Sequence, residues 1–271
     1  MRKILFILPA LALLAITSCQ KVINIKVSDT EPKLVIEAKY DAVKEEVLVH
    51  ISQTANVFTK DTVPYISGAM VKIIDTNGVE TLLSEIGNGT YFLDNYSPIH
   101  NSTYKMEVRI DGITYSSSDL LVPIIPMDSM SYEFQEKNLF LEEGYMVTFH
   151  FTDPFDENFY RVFQTINGEE MTEVGEQMML TDGFSNGLSR SVPLYWKTFE
   201  MGDTIKVDFA SYSKQTYRYY SDLFAALQGT EMSAAPTNPK QLWKNDTGDK
   251  IEVLGHFTAF GYDTKQVIIG E

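Results

Sequence analysis

The chain has 271 residues, a formal net charge of −15 at pH 7, 44% hydrophobic residues and 12% aromatic residues. This apolar content excludes a disordered stalk over most of the chain, because disordered segments are poor in aromatic and aliphatic side chains. The acidic balance argues against nucleic acid and anionic lipid surfaces as partners, since both would repel the protein.

The first nineteen residues predict a lipoprotein signal peptide. Two basic residues precede an apolar run at residues 4–16, which is too short to span a bilayer comfortably. The run ends in Ile-Thr-Ser-Cys, whose small side chains suit the extended backbone that a lipoprotein signal peptidase cuts. We expect cleavage between Ser18 and Cys19, with residues 1–18 removed. The alternative is an ordinary secretory leader that precedes a cysteine by chance.

Cys19 is the predicted lipid attachment site. It is the only cysteine in the chain, so no disulfide can form within the chain. The thiol would accept diacylglycerol, and each methylene buried from acyl chains such as palmitate adds about 0.8 kcal/mol, which makes attachment effectively permanent. Residues 19–31 are mostly polar and predict a tether between this anchor and the fold.

The next ninety residues predict a β-sandwich. Hydrophobic and polar residues alternate along residues 33–40 and 104–111, as in strands with one buried face. The dipeptides Asn77-Gly78 and Asp111-Gly112 accept the positive φ angles of tight hairpin turns. Short strands joined by such turns favour an immunoglobulin-like or transthyretin-like sandwich, which we place at residues 32–122.

A linker and a second antiparallel β domain are predicted after this sandwich. Pro123 and Pro126 interrupt any strand, because proline lacks the backbone donor that a ladder requires. We therefore place a linker at residues 123–130 and the second domain at residues 131–271. Alternation at residues 147–152 indicates half-buried strands in this domain.

One helix is predicted in the second domain, near residues 213–228. Large apolar residues recur there at spacings of three and four, which places them on one face: Tyr217, Tyr220, Phe224 and Leu227. Ser211 or Ser213 would cap its free amides, and Gly229 would end it. Further on, Gly255 is expected to mark a bulge or close packing against this helix.

Several fragments together resemble a Bacteroidota lipoprotein family known as domain of unknown function 4249. In the first half, the signal-peptide cysteine is followed by these fragments: Leu34-Val35-Ile36-Glu37, residues 64–71, Gly89-Thr90-Tyr91 and Thr103-Tyr104. In the second half the fragments are Gly202-Asp203-Thr204-Ile205, residues 217–220, residues 236–239 and residues 255–259. The resemblance implies an outer-membrane lipoprotein, often encoded beside a TonB-dependent receptor, and it implies no reaction. The face of the membrane, periplasmic or cell-surface, stays open.

The sequence carries no recognisable catalytic signature, so we expect a protein that is not an enzyme and needs no cofactor. There is no Gly-x-Ser-x-Gly elbow, and the cysteine is taken by lipid. The four histidines lack the close spacing of zinc ligands and are expected to be solvated: His50, His100, His150 and His256. A serine triad assembled by the fold is the alternative.

The densest acidic loop is a candidate for calcium binding. Asp153, Asp156 and Glu157 supply hard oxygen ligands on a turn, although their spacing is not that of an EF-hand. A solvated acidic loop without metal is the favoured interpretation.

Two kinds of surface site are also predicted. Short Asp-Ser/Thr-aliphatic segments resemble Bacteroidota O-glycosylation acceptors, which makes candidates of Thr62, Ser129 and Thr204. Tyr212 and Tyr219 lie off the apolar face of the helix, and tyrosine combines an apolar ring with a polar edge, so both are candidate interface residues.

Two functions follow from these patterns. The first is a non-catalytic outer-membrane lipoprotein that captures a ligand for a TonB-dependent receptor or covers its barrel. The second is a structural or adhesive surface lipoprotein that binds glycan or protein. The partners expected are the bilayer, through acylated Cys19, and such a receptor, but not nucleic acid.

Overall fold

A computed structural model describes residues 31–55, 63–139, 141–183, 186–194, 197–228, 239–248 and 252–270. No helix in these ranges is both long enough and apolar enough to cross a membrane. The predicted signal peptide, its cleavage site at Ser18 and Cys19, the tether up to residue 30, and Thr62 and Gly229 lie outside the described residues.

The described residues form seventeen strands, one helix and one 3-10 turn, which confirms the predicted mainly β fold. The strands of the first half are β1 Leu34–Asp41, β2 Glu46–Gln53, β3 Met70–Ile74, β4 Glu80–Leu82, β5 Ser84–Gly87, β6 Thr90–Leu93, β7 Ser102–Ile110 and β8 Ile113–Leu121. Those of the second half are β9 Met127–Gln135, β10 Gly144–Thr152, β11 Phe159–Ile166, β12 Glu169–Glu170, β13 Met178–Thr181, β14 Ser189–Pro193, β15 Thr204–Tyr212, β16 Lys244–Asn245 and β17 Phe257–Ile268. The helix, α1, is Lys214–Gln228, and the 3-10 turn is Val174–Glu176.

A nine-stranded sheet runs through the whole structure from Pro32 onward. Its order is β12-β11-β15-β17-β1-β2-β6-β5, and β13 also pairs with β11. The last strand, β17, lies between β15, to which it is antiparallel, and β1, to which it is parallel. The last strand of the described residues is therefore hydrogen-bonded to the first.

Two smaller sheets pack against the same face of this large sheet. A five-stranded sheet of order β16-β8-β7-β3-β4 covers one half, and a three-stranded sheet of order β14-β10-β9 covers the other. Tyr40 and Tyr104 meet edge to face at 5.0 Å in the first core. In the second core, Phe151 and Phe209 lie 4.6 Å apart. The fold is thus two β-sandwiches that share one sheet.

This arrangement differs from the predicted division into a domain at 32–122, a linker at 123–130 and a domain at 131–271. Residues 127–130 are the first part of β9, and β17 joins a sheet that begins with β1. The prolines do interrupt the strands, as expected, but a sequence pattern does not show which strand pairs with which over such a distance.

The helix begins where the sequence predicts. Ser213 accepts a hydrogen bond on Oγ from the backbone N–H of Thr216 at 3.1 Å, so it is the N-cap. The apolar stripe is buried less than predicted, because Leu227 is 60% exposed and Phe224 is half-buried. The helix lies on the outer face of the large sheet, over β11 and β15, rather than in either sandwich core.

The backbone at residue 255 passes so close to β1 that only glycine fits there. Its φ is +92°, and a Cβ there would lie 2.2 Å from the carbonyl oxygen of Ile36. The close packing predicted at Gly255 is therefore against a strand and not against the helix.

Candidate binding groove

The outer face of the nine-stranded sheet, opposite the two cores, carries a cavity of about 500 Å³. Its floor is built by five neighbouring strands, β11, β15, β17, β1 and β2, and its walls by α1 and by the loop around the 3-10 turn. At about 4.8 Å per strand, the floor is roughly 19 Å across. We call this cavity the groove.

Aromatic rings cover much of the groove floor. Phe163 on β11 lies 6.2 Å from Phe260 on β17, and Phe260 lies 6.2 Å from Tyr262. All three point outward from strands whose inward residues fill the cores, so they occupy the phase that is normally polar in a half-buried strand. Phe260 is only 9% exposed, and Arg161 lies over the Phe163 ring, so the floor offers parts of the Phe163 and Tyr262 rings to a ligand.

The charges that line the groove are balanced. Its cations are Lys39, Lys44, Arg161 and Lys206. Its anions are Asp41, Glu46, Glu170 and Asp208. Two of these cations are already paired, with Lys206 2.8 Å from Asp208 and Lys44 3.8 Å from Asp41. The groove is locally neutral on a protein whose net charge is −15.

Tyr262 presents a neutral phenol to the groove. Burial, and then the negative charges of Asp41, Asp208 and Glu46, raise its pKa to about 12. At neutral pH the hydroxyl therefore keeps its proton and can both donate and accept a hydrogen bond.

Arg161 joins the floor to both walls. Its guanidinium lies 4.4 Å from the ring centre of Phe163, 4.8 Å from that of Tyr220 and 5.1 Å from that of Phe224. One Nη donates to the side-chain oxygen of Gln177 at 2.6 Å. The stacking on three rings holds the helix against the sheet and fixes the position of this charge at the groove wall.

A buried polar network lies beside the groove, beneath the first turn of α1. Asp119 on β8 accepts hydrogen bonds from Ser213 Oγ at 2.5 Å, Thr216 Oγ1 at 2.7 Å and the backbone N–H of Ala259 at 2.9 Å. Burial raises the pKa of Asp119 to about 6, although these hydrogen bonds oppose the change. The carboxylate thus ties the helix start to the five-stranded sheet and to β17.

His256 completes this network. Thr216 donates its single hydroxyl proton to Asp119, so His256 Nε2, 2.8 Å from Thr216 Oγ1, must be the donor of that pair. Burial lowers the pKa of His256 to about 4, which keeps the ring neutral at pH 7. Asp119, Thr216 and His256 are each at most 4% exposed, so a substrate has no access to them.

Tyr212 and Tyr219 are predicted to be interface residues at the surface. In the structure Tyr212 is buried, and Tyr219 is only partly accessible. Tyr212 is only 3% exposed, because α1 covers its strand face and brings Tyr220 within 5.8 Å. Tyr219 is half-buried and stacks on His256 at 4.5 Å. Neither ring is openly exposed at the surface, and Tyr212 lines the groove from β15 instead.

The calcium candidates do not converge. Asp153 is fully buried and accepts a hydrogen bond from the hydroxyl of Tyr160 at 2.5 Å. Asp156 is exposed, and Glu157 pairs with Lys214 at 2.6 Å. Among the described residues, no group of three or more histidine, cysteine, aspartate or glutamate side chains is placed to hold a metal ion.

The four histidines that the sequence predicts to be solvated differ in their exposure. His100 is exposed, whereas His50 and His150 are half-buried and hydrogen-bonded to neighbouring hydroxyls. His256 is buried, so its predicted solvation is wrong.

Two glycosylation candidates lie in the described ranges. Ser129 is exposed on β9, and Thr204 is half-buried at the start of β15. Their modification stays a prediction.

Comparison with known proteins gives one family and several distantly similar structures, two of which are described below. The profile of the family described as Domain of unknown function (DUF4249) matches residues 20–266. A search of curated proteins gives no match. A two-domain fibronectin type III segment from chicken tenascin is 12% identical, with a TM-score of 0.21, and the match covers 66% of this chain and 90% of that one.

The second structure is described by its role in host cell surface retention of a 1.5-MDa bacterial ice-binding adhesin. It is 12% identical, with a TM-score of 0.20, and the match covers 89% of this chain and 65% of that one. Both TM-scores are too low to support a conclusion about this chain.

Proposed function

Since this chain belongs to the DUF4249 family, whose description names no activity, we propose a function from its own residues: a non-catalytic, lipid-anchored outer-membrane protein that captures a ligand in the groove and assists a TonB-dependent receptor. The observation that carries the ligand-capture part is the groove itself. Its volume of about 500 Å³ falls within the range of small-molecule sites, which combine apolar walls with a few placed polar groups.

The shape of the site supports binding rather than catalysis. The groove is lined by aromatic rings and by charges of both signs, whereas the titratable network of Asp119 and His256 is sealed beneath α1. A ligand in the groove would meet ring faces, hydroxyls and fixed charges.

The receptor part of the proposal is supported by the sequence alone. An acyl anchor on Cys19 would confine the protein to the membrane plane, where a receptor in the same membrane meets it at high effective concentration. A modest interface would then suffice for a stable complex. The identity of the partner as a TonB-dependent receptor comes from the resemblance to Bacteroidota lipoproteins.

Crosslinking in intact cells tests the partnership. A tagged chain is crosslinked and purified from detergent-solubilised outer membranes, with Cys19→Ala as the matched control that lacks the anchor. We expect the receptor to be recovered with the wild-type chain and to be strongly depleted with the control.

Failure to recover a receptor, together with unchanged growth of a deletion strain on scarce nutrients, would refute the proposal. Loss of surface attachment in that strain would favour the adhesive alternative.

A further inference from the structure

The strands beneath the groove have no free edge. Each of β11, β15, β17, β1 and β2 is paired on both sides within the nine-stranded sheet. Their backbone N–H and C=O groups are therefore used in the ladders, and an extended peptide cannot add to the sheet here as a further strand. A ligand in this groove must be recognised by side chains.

The side-chain charges favour a neutral ligand. The lining carries four cationic and four anionic side chains, so a ligand with a net charge of either sign would meet as many like charges as opposite ones. Two of the cations, Lys206 and Lys44, are in addition already paired with Asp208 and Asp41. A ligand rich in hydroxyl groups avoids this conflict, because each hydroxyl donates to a carboxylate and accepts from an ammonium group.

The aromatic rings of the floor set a second requirement for the ligand, which must have an apolar face. Phe163 and Tyr262 lie on strands β11 and β17, with β15 between them, so their rings are separated across the floor. Aromatic rings of this kind bind ligands that have one apolar face and a polar periphery. A sugar ring has this character, with C–H groups on its face and hydroxyls around its rim.

We infer that the groove binds a short neutral oligosaccharide, whose sugar rings pack against Phe163 and Tyr262 while its hydroxyls bond to the charged rim. The inference rests on the proposed ligand-capture function and names its ligand class.

Binding of defined oligosaccharides to the detergent-solubilised full chain tests this assignment. The probes are three panels of short chains: neutral oligosaccharides, oligosaccharides that contain uronic acid, and peptides. We expect saturable binding in the neutral panel only. We also expect little change in affinity between low and high salt, since a neutral ligand forms no ion pair that salt can screen.

Floor variants locate the binding. Tyr262→Ala and Phe163→Ala should each weaken binding by about tenfold, whereas Tyr262→Phe, which keeps the ring, should retain it. Phe134→Ala is the matched control, because Phe134 is 56% exposed on the three-stranded sheet, away from the groove. Thermal unfolding of each variant shows that it is folded.

Three outcomes would overturn the inference: no binding in the neutral panel, preference for acidic sugars or peptides, or neutral binding that neither floor variant weakens. The proposed function fails separately. Sugar binding without receptor recovery would refute the receptor role and leave the groove assignment intact. Receptor recovery without sugar binding would refute the groove assignment and leave the receptor role intact.

Discussion

Replacing Asp119 with asparagine should change how the stability of the protein depends on pH. The pKa of Asp119 is about 6 in the fold, against 3.8 in the absence of burial. Between these values the folded state binds more protons than the unfolded state, so the stability contributed by this group is complete below pH 4 and is lost as the pH rises through 6. Asparagine does not ionise and escapes this loss.

The size of the effect follows from the two pKa values. A difference of about 2 in pKa corresponds to about 3 kcal/mol of unfolding free energy. The unfolding free energy of Asp119→Asn, measured relative to that of the wild type, should therefore rise by about 2–2.5 kcal/mol between pH 4 and pH 7. His256 has the opposite trend, because its lowered pKa removes stability as the pH falls. It is present in both proteins and largely cancels in the difference.

Urea unfolding at several pH values between 4 and 7, with linear extrapolation to water, measures this difference. Asp222→Asn is the matched control, since Asp222 is exposed on α1. Parallel pH profiles for the wild type and Asp119→Asn would show that Asp119 does not titrate in this range, and the description of the buried network would be wrong.

Three further changes test the anchor, the helix and the close approach of strands. Cys19→Ala should release the protein into the soluble fraction; firm membrane attachment after a salt wash would contradict the predicted lipidation. Phe224→Ala should lower the unfolding free energy by about 1–2 kcal/mol, less than the loss of a core phenylalanine, because its ring is half-buried. Urea unfolding measures this loss, and a value no greater than that of exposed Arg218→Ala would show that the ring contributes nothing. Gly255→Ala should cost more than about 3 kcal/mol, whereas Gly248→Ala, with positive φ but open space around it, should cost about 1 kcal/mol; equal losses in urea unfolding would exclude the backbone clash.

Local features of the fold could be predicted because their causes are local. The alternation along residues 33–40 and 104–111 gives β1 and β7 with the expected inward faces. Ser213 caps α1 because a hydroxyl at that position reaches the free amides of the first turn. Such contacts span only a few residues, so the sequence pattern contains them.

Contacts between distant segments could not be predicted from the pattern. The insertion of β17 between β15 and β1 joins residues more than two hundred positions apart, and it creates the single sheet that carries the groove. The pattern predicts Tyr212 at the surface, because nothing in the sequence shows that α1 folds back over β15.

The sequence nevertheless contains a signal for the buried Asp119 network and another for the aromatic floor of the groove. Asp119 occupies the inward phase of β8 together with Ser117 and Leu121, which indicates a buried carboxylate with partners. Phe260 and Tyr262 occupy the outward phase of β17, where an aromatic residue indicates a covered or ligand-binding face.

Nutrient uptake by cells that carry a groove variant tests the central claim most directly. Cells with the wild-type chain, a deletion, or the Phe163→Ala and Tyr262→Ala double variant are compared for growth on limiting amounts of the receptor's nutrient. The double variant is first shown to be folded and present in the outer membrane at wild-type abundance. We predict that its uptake falls to the level of the deletion strain. Wild-type uptake by the double variant, in a strain where deletion abolishes it, would contradict ligand capture in the groove.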